Sequence, residues 1–439
     1  MTNLNSTLHK AGRPALSANR FRALRLVVAL SLCAQCMMAC QSPDSLEEGL
    51  TRITEPYRFE PVWWSLRKLV RGDRLFEGAK ALMAEPTAAR LVLEYYANMD
   101  ALRAASSRLS ALTQDGDSRA AATAVADLQY LQQQRYALRD IVERIVGEQV
   151  CQGLRSEDIH LGLGPLLGKR YCFPPVNFEM EELPHLLVVS PRERIERSNE
   201  VLLVQELAGD DVEEIEARVD ALGVSSLVLG LGGFGGTYPT LVADEGDLPW
   251  VLSTVVEEWF HQYLVFTPLG VAYLLDYAGI RPNPDIAAIN ETLAGIFSQE
   301  MGDLILEAYY PEVAARRRAS SQASAAPDEG GFDFASAMRE IRITVDRLLA
   351  EGRITEAEDY MRERQAYLLQ NGYYIRKLNQ AYFAFYGTYA AEPTSVDPLG
   401  EQMRELRRQS PSLQAFVRSA SQVTSRQELE DLLSSSELI

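Results

Sequence analysis

The chain has 439 residues, 47% of them hydrophobic, and a formal net charge of -18. That length suffices for one or two packed domains, and the acidic balance without a basic stripe speaks against a nucleic-acid partner. Past residue 40 no apolar run is long enough to cross a bilayer, so a lipid or the leading segment itself is the only anchor to be expected.

Residues 1–40 read as an export signal. Lys10, Arg13, Arg20, Arg22 and Arg25 form a basic lead, and Leu26 to Ala39 is an apolar run too short to span a membrane. The run closes on Met37, Met38, Ala39 and Cys40. A small residue ahead of a cysteine, followed by the polar stretch Gln41 to Ser45, resembles a bacterial lipoprotein processing site. Cys40 would then be the lipidated first residue of the mature protein, on the extracytoplasmic side of the bacterial cell envelope. Ordinary cleavage and an uncleaved signal anchor are the alternatives. Past the signal only Cys151 and Cys172 remain. They are either a disulfide, which an exported chain permits, or two buried thiols.

From Thr54 to Val150 the pattern is helical. Apolar residues recur at three and four from Ala88 to Met99 and again from Val125 to Ile145, with the break Gln114-Asp115-Gly116-Asp117 between them. Two long helices in an antiparallel hairpin are expected. Trp63 and Trp64 just ahead of it read as core, with a membrane or partner face as the alternative.

Residues 160–245 change character. Leu186 to Val189, Val201 to Val204 and Ser226 to Leu229 are short apolar runs bounded by Pro, Gly and charge, and Asp211 to Leu222 is amphipathic, which predicts a small mixed sheet with a crossover helix. Gly230 to Gly235 matches GxGxxG after a strand. The extended segment Thr237 to Val242 follows where a dinucleotide fingerprint would open a helix, so a tight hairpin is the expectation.

Residues 246–439 are expected to be almost wholly helical, broken by a surface loop from Arg316 to Gly331 where Ser, Ala, Arg and Gly accumulate. One helix starts at an Asp247 cap with Pro249 in its first turn, presents Trp250, Val251, Val255, Trp259 and Phe260 to the core, and stops by Pro268. A second starts at an Asp285 cap and ends at Pro311. Its core stripe runs from Ile286 through Ile289, Leu293, Ile296, Phe297 and Met301 to Leu304, leaving Glu291, Gly295 and Ser298 on a face of small and polar residues.

The first of these helices carries Glu257-Glu258-Trp259-Phe260-His261. Glu257 and His261, at i and i+4, share a face and can touch one ion, while Glu258 is turned aside and can hold the attacking water. Glu291, directly after Asn290 on the second helix, is the distant third donor. Glu258 and His261 also satisfy ExxH, the half-site of a di-iron bundle. The second half-site is missing, because Glu182 to His185 contains Pro184 and Glu157 to His160 lies beside a Gly/Pro cluster.

This arrangement resembles the gluzincin group of zinc proteases, whose helix reads HExxH and whose third ligand is the Glu of a downstream Asn-Glu pair, with Glu257 here in place of the first His. PHLLVVSP from Pro184, EEWFHQYLVFTPLG from Glu257, NETLAGIFSQEMG from Asn290 and RKLNQAYFAFYGTYA from Arg376 are together similar to an uncharacterised bacterial group of metallopeptidases whose helix reads HEWxHHYL. The likeness covers roughly 175–398 and brings no substrate with it. It implies Glu257, His261 and Glu291 as ligands of zinc or another divalent cation, and Glu258 as general base. With Glu257 in place of the first His the set holds two carboxylates instead of one, which brings zinc close to neutrality, weakens its pull on bound water and shifts preference towards manganese or calcium. Tyr382 or Tyr386 could donate to an oxyanion if their helix folds back over the site, or they could fill a core.

The expectation is therefore an α+β, mainly helical fold: an N-terminal helical hairpin, a small sheet and a zincin-like helical domain. It would be a membrane-anchored metallopeptidase-like protein acting on a peptide or protein substrate. The alternative is an inactive lipoprotein that binds a peptide or an envelope partner.

Overall fold

The computed structural model describes residues 45–70, 85–114, 118–161, 172–244, 246–324, 332–387 and 397–435. The expected signal segment with Cys40 lies outside them. The fold is α+β and mainly helical, as its periodicities imply.

Helix α1 (Ser45–Thr54) and α2 (Pro61–Val70) lead into the long pair α3 (Glu85–Gln114) and α4 (Ser118–Ser156). Each of that pair has an apolar stripe that meets the other's: Val92, Tyr95 and Met99 of α3 are buried with Val142, Ile145 and Val146 of α4. Of the two tryptophans, Trp64 is in the core and Trp63 is 64% exposed. Cys151 and Cys172 form a disulfide, with Cα atoms 5.7 Å apart, joining the end of α4 to the chain that enters the sheets.

The strands form two three-stranded sheets where one was expected. In the first, β2 (His185–Pro191) runs between β3 (Asn199–Leu203) and β4 (Val224–Gly230), antiparallel to both. Helix α5 (Gly209–Asp220) crosses from β3 to β4 and packs Ile215 and Val219 on Leu187, Val189 and Val228, beside Leu50 and Ile53 of α1. The second sheet has the order β1-β6-β5. Its strands are β1 (Phe178–Met180), parallel to β6 (Thr240–Val242), and β5 (Gly233–Phe234), antiparallel to β6. Strands of two or three residues carry too little apolar pattern to show in advance as a separate sheet.

The remaining chain is helical: α6 (Leu248–Leu264), α7 (Pro268–Tyr277), α8 (Pro284–Tyr309), α9 (Pro311–Ser324), α10 (Phe334–Ala350), α11 (Ile354–Gln370), α12 (Gln380–Tyr386), α13 (Leu399–Gln409), α14 (Leu413–Ala420) and α15 (Arg426–Ser434). Asp247 caps α6 by accepting from the Trp250 N–H at 2.9 Å. The cap of α8 is Asn283, not Asp285: its Oδ1 accepts from the Asp285 N–H, because Pro284 takes the first helical position and moves the cap one residue ahead of it. Residues 316–324 continue α9 instead of forming a loop; Ala and Arg are good helix formers there, and Arg317 and Arg318 reach back to Asp303 and Glu307 of α8. Residues 325–331 of the expected loop lie outside the described residues. Trp250 and Leu304, assigned to core stripes, are more than a third exposed, while Ile305 and Leu306 are buried.

The largest core joins α3, α4, α6, α8, α13 and α14. At its centre α6 and α8 cross with Phe260 stacked on Phe297, ring centroids 4.1 Å apart. Gly302 permits this closeness, since a Cβ there would lie 2.6 Å from Ser253 Oγ on α6. The crossing sets α6 and α8 side by side at the positions that carry the charged residues.

Candidate metal centre

The crossing brings Glu257, His261 and Glu291 together. One donor atom from each lies within 4.8 Å of the others, and all three side chains are partly buried. His261 Nε2 is 3.7 Å from Glu291 Oε2. A tetrahedral ion with bonds of about 2.0–2.1 Å holds its ligands about 3.3 Å apart, so this pair is nearly at ligand spacing, and the carboxylate of Glu257 has to draw in by no more than about 1.5 Å.

Asn290 completes the arrangement from behind. It is almost fully buried, and its Oδ1 lies 2.9 Å from His261 Nδ1. An amide oxygen only accepts, so Nδ1 donates to Asn290 and Nε2 is the ring nitrogen turned towards Glu291, the one an ion would take. Two consecutive residues of α8 thus hold the two sides of one imidazole. The sequence gives Asn290 as a neighbour of the ligand, not as the group that fixes the histidine tautomer.

The electrostatics are those of a crowded acidic cluster. Burial pushes the Glu257 carboxyl up from its ordinary range; His261 opposes this, Glu291 adds to it, and the Ser298 hydroxyl steadies the charged form. Burial likewise pushes Glu258 up to about 8, against the field of His261 and with help from Glu257 and Glu291. For His261 burial acts the other way, but Glu291, Glu258 and Glu257 outweigh it and hold the imidazole above its usual value. Among the described residues no Lys or Arg lies within ion-pair distance of Glu257, Glu258 or Glu291. Arg197, whose charge is felt by Glu291, is ion-paired with Glu200 and lies over the Phe385 ring. Two carboxylates and one imidazole, with no Lys or Arg paired to them among the described residues, fit the donor set of a divalent ion.

Glu258 points away from the other two, as its place after Glu257 requires. The Gly-rich hairpin lies along this second face of α6, which presents Trp250, Thr254, Glu258 and Gln262 at intervals of four. A Cβ on Gly232 would lie 2.8 Å from the Trp250 ring, one on Gly233 would strike both Thr254 and the Glu258 carboxylate, and one on Gly235 would lie 2.8 Å from Glu258 Oε2. The Gly235 N–H supports the charged form of Glu258. The glycines that match GxGxxG therefore serve close contact with a helix. The sequence signal for this contact is the four-residue spacing of Trp250, Thr254, Glu258 and Gln262 on α6, which matches no apolar stripe.

Tyr382 and Tyr386 do not join the four acidic and imidazole side chains. Their rings pack against each other at a tilt of 42°, centroids 4.5 Å apart, and line a cleft of about 440 Å³ beside β4 with His185, Tyr374 and Arg376. Helix α12 covers the sheet face formed by Leu186, Val188, Leu227 and Leu229, and that apolar contact directs it.

Comparison with protein-family models, with curated proteins and with solved structures finds no match to this chain. Among the described residues no helix is long and apolar enough to cross a membrane.

Proposed function

We propose that the chain is a membrane-anchored, extracytoplasmic metallopeptidase-like protein of the gluzincin type. Glu257, His261 and Glu291 hold one divalent ion, zinc or a harder ion such as manganese, and Glu258 is the general base. The observation that carries this reading is the convergence of three donors from two helices within 4.8 Å, with no Lys or Arg paired to them among the described residues. Like charges this close and partly buried repel, and a cation removes the repulsion.

A bound divalent ion would supply Lewis-acid polarisation of a peptide carbonyl and would acidify water at the site. The residues do the rest. Asn290 keeps the His261 proton on Nδ1, so that Nε2 stays free to donate its lone pair. Glu258, with an affinity for protons raised by burial, takes a proton from water as it attacks and can return it to the leaving amine. The Cys151–Cys172 disulfide is of the kind that persists in an oxidising, extracytoplasmic compartment, which supports export.

One feature favours the second reading, an inactive peptide-binding lipoprotein. Glu257 stands where an imidazole would leave an ion more positive and better able to activate water. The test is hydrolysis of a mixed peptide library by the wild type and Glu258→Gln, with and without added Zn²⁺ or Mn²⁺. Metal-dependent cleavage abolished by Glu258→Gln supports the peptidase; metal binding without cleavage leaves the binding protein.

A further inference from the structure

We infer that Gln262 is a positioning residue that clamps the glycine hairpin onto Glu258, and this rests on Glu258 being the base. Gln262 lies four residues after Glu258 on the same face of α6. Its Nε2 donates to Thr240 Oγ1 at 2.9 Å and to the Gly235 carbonyl at 3.4 Å. Thr240 opens β6, and Gly235 directly follows β5, so one amide group spans both arms of the hairpin. The backbone of Gly235 also lies against Glu258, since a Cβ there would sit 2.8 Å from Glu258 Oε2.

The chain of contacts therefore runs from Gln262 through the Gly235 backbone to the base. A carboxylate on a helix has three rotatable bonds, and without the hairpin Glu258 would sample several rotamers. Gly233 and Gly235 let backbone come within reach of both carboxylate oxygens, a packing that any side chain at those positions would prevent. Gln262 holds that backbone in place. It does not face the Glu257, His261 and Glu291 cluster, because a position four residues beyond Glu258 keeps the face of Glu258 and not that of the ligands.

The roles of clamp and metal centre separate experimentally. In the full chain, Gln262→Ala and the near-isosteric Gln262→Glu, which lacks the donor, are compared with wild type by three measurements: Zn²⁺ and Mn²⁺ titration calorimetry, hydrogen exchange of residues 231–242 in the metal-free protein, and peptide turnover. Both variants are expected to exchange about tenfold faster across the hairpin. They should lose about 10- to 100-fold in kcat with KM changed less than about twofold, and keep metal affinity within about threefold. Gly235→Ala, which pushes the hairpin off the carboxylate directly, should reproduce the kcat loss in a chain where Gln262 is intact. Unchanged hairpin exchange in the Gln262 variants overturns the clamp, as does a fall in kcat matched by an equal loss of metal affinity. Faster exchange in a protein whose wild type cleaves no peptide supports the clamp and overturns the peptidase reading alone.

Discussion

His261 and Asn290 share a hydrogen bond of 2.9 Å between Nδ1 and Oδ1, and it turns the opposite ring nitrogen towards Glu291. The same bond decides which tautomer meets an ion, so an uncharged polar residue behind the ring controls the donor in front of it. Asn290→Ala is expected to weaken Zn²⁺ or Mn²⁺ binding by about 10- to 100-fold. Asn290→Asp keeps an acceptor and should retain most of the affinity. Metal titration of both variants, with circular dichroism to confirm folding, checks this; equal affinities for Ala and wild type would contradict it.

The raised Glu258 has a consequence for stability in the metal-free chain. Its folded value of about 8 lies above the ordinary 4.5, so between those limits the folded chain keeps a proton that the unfolded chain has lost. Stability then falls as pH rises from 4.5 to about 8. Glu258→Gln removes this titration. In chelator its thermal midpoint should match wild type at pH 5 and exceed it at pH 8.5, by about 2–4 °C for each kcal/mol recovered. Identical pH dependence in the two proteins would show that Glu258 does not carry the shift.

Glu216 has the opposite sign. It is buried beneath β4, and although burial alone would raise its carboxyl, Arg376, Lys377 and the Val228 N–H hold it below the usual range. Its contribution is present above the unfolded value of 4.5 and is lost as pH falls through the lower folded value. Glu216→Gln should cost about 2 kcal/mol at pH 7 in urea unfolding, with the difference shrinking below pH 4. A constant difference across that range would count against the ion pair as its source.

Much of this was readable from residue spacing alone. Asp247 and Pro249 mark the start of α6 because capping is local chemistry, and the i, i+4 placement of Glu257 and His261 follows from helix geometry. That Glu291 meets them depended on the crossing of α6 and α8, which the apolar stripes of both helices imply and the Phe260–Phe297 stack realises. Other features depend on tertiary neighbours and were hidden. The destination of Tyr382 and Tyr386 is set by the sheet face that α12 covers. The helical state of residues 316–324 is supported by acidic partners on α8 that a window over Ser, Ala and Arg does not contain. The face of Trp250, Thr254, Glu258 and Gln262 mixes one apolar and three polar residues and makes sense only beside the glycine hairpin.

Glu257 is the position where this site departs from the HExxH pattern. Glu257→His restores a second imidazole and returns positive charge to a bound ion, so zinc affinity should rise about tenfold relative to manganese. If the native site is tuned to a harder ion, native turnover should fall with the same change. Competition titrations of Zn²⁺ against Mn²⁺ for both proteins test this, and an unchanged preference would show that Glu257 is not a ligand.

The central claim is that Glu257, His261 and Glu291 form one ion site, and the most direct measurement is metal content per chain. The purified protein is equilibrated with Zn²⁺ or Mn²⁺, freed of excess ion and analysed by elemental spectrometry beside Glu291→Ala. One ion per wild-type chain, and about a tenth of that or less in Glu291→Ala at the same free metal, is the predicted result. No ion in the wild type, or equal occupancy in both proteins, would contradict it.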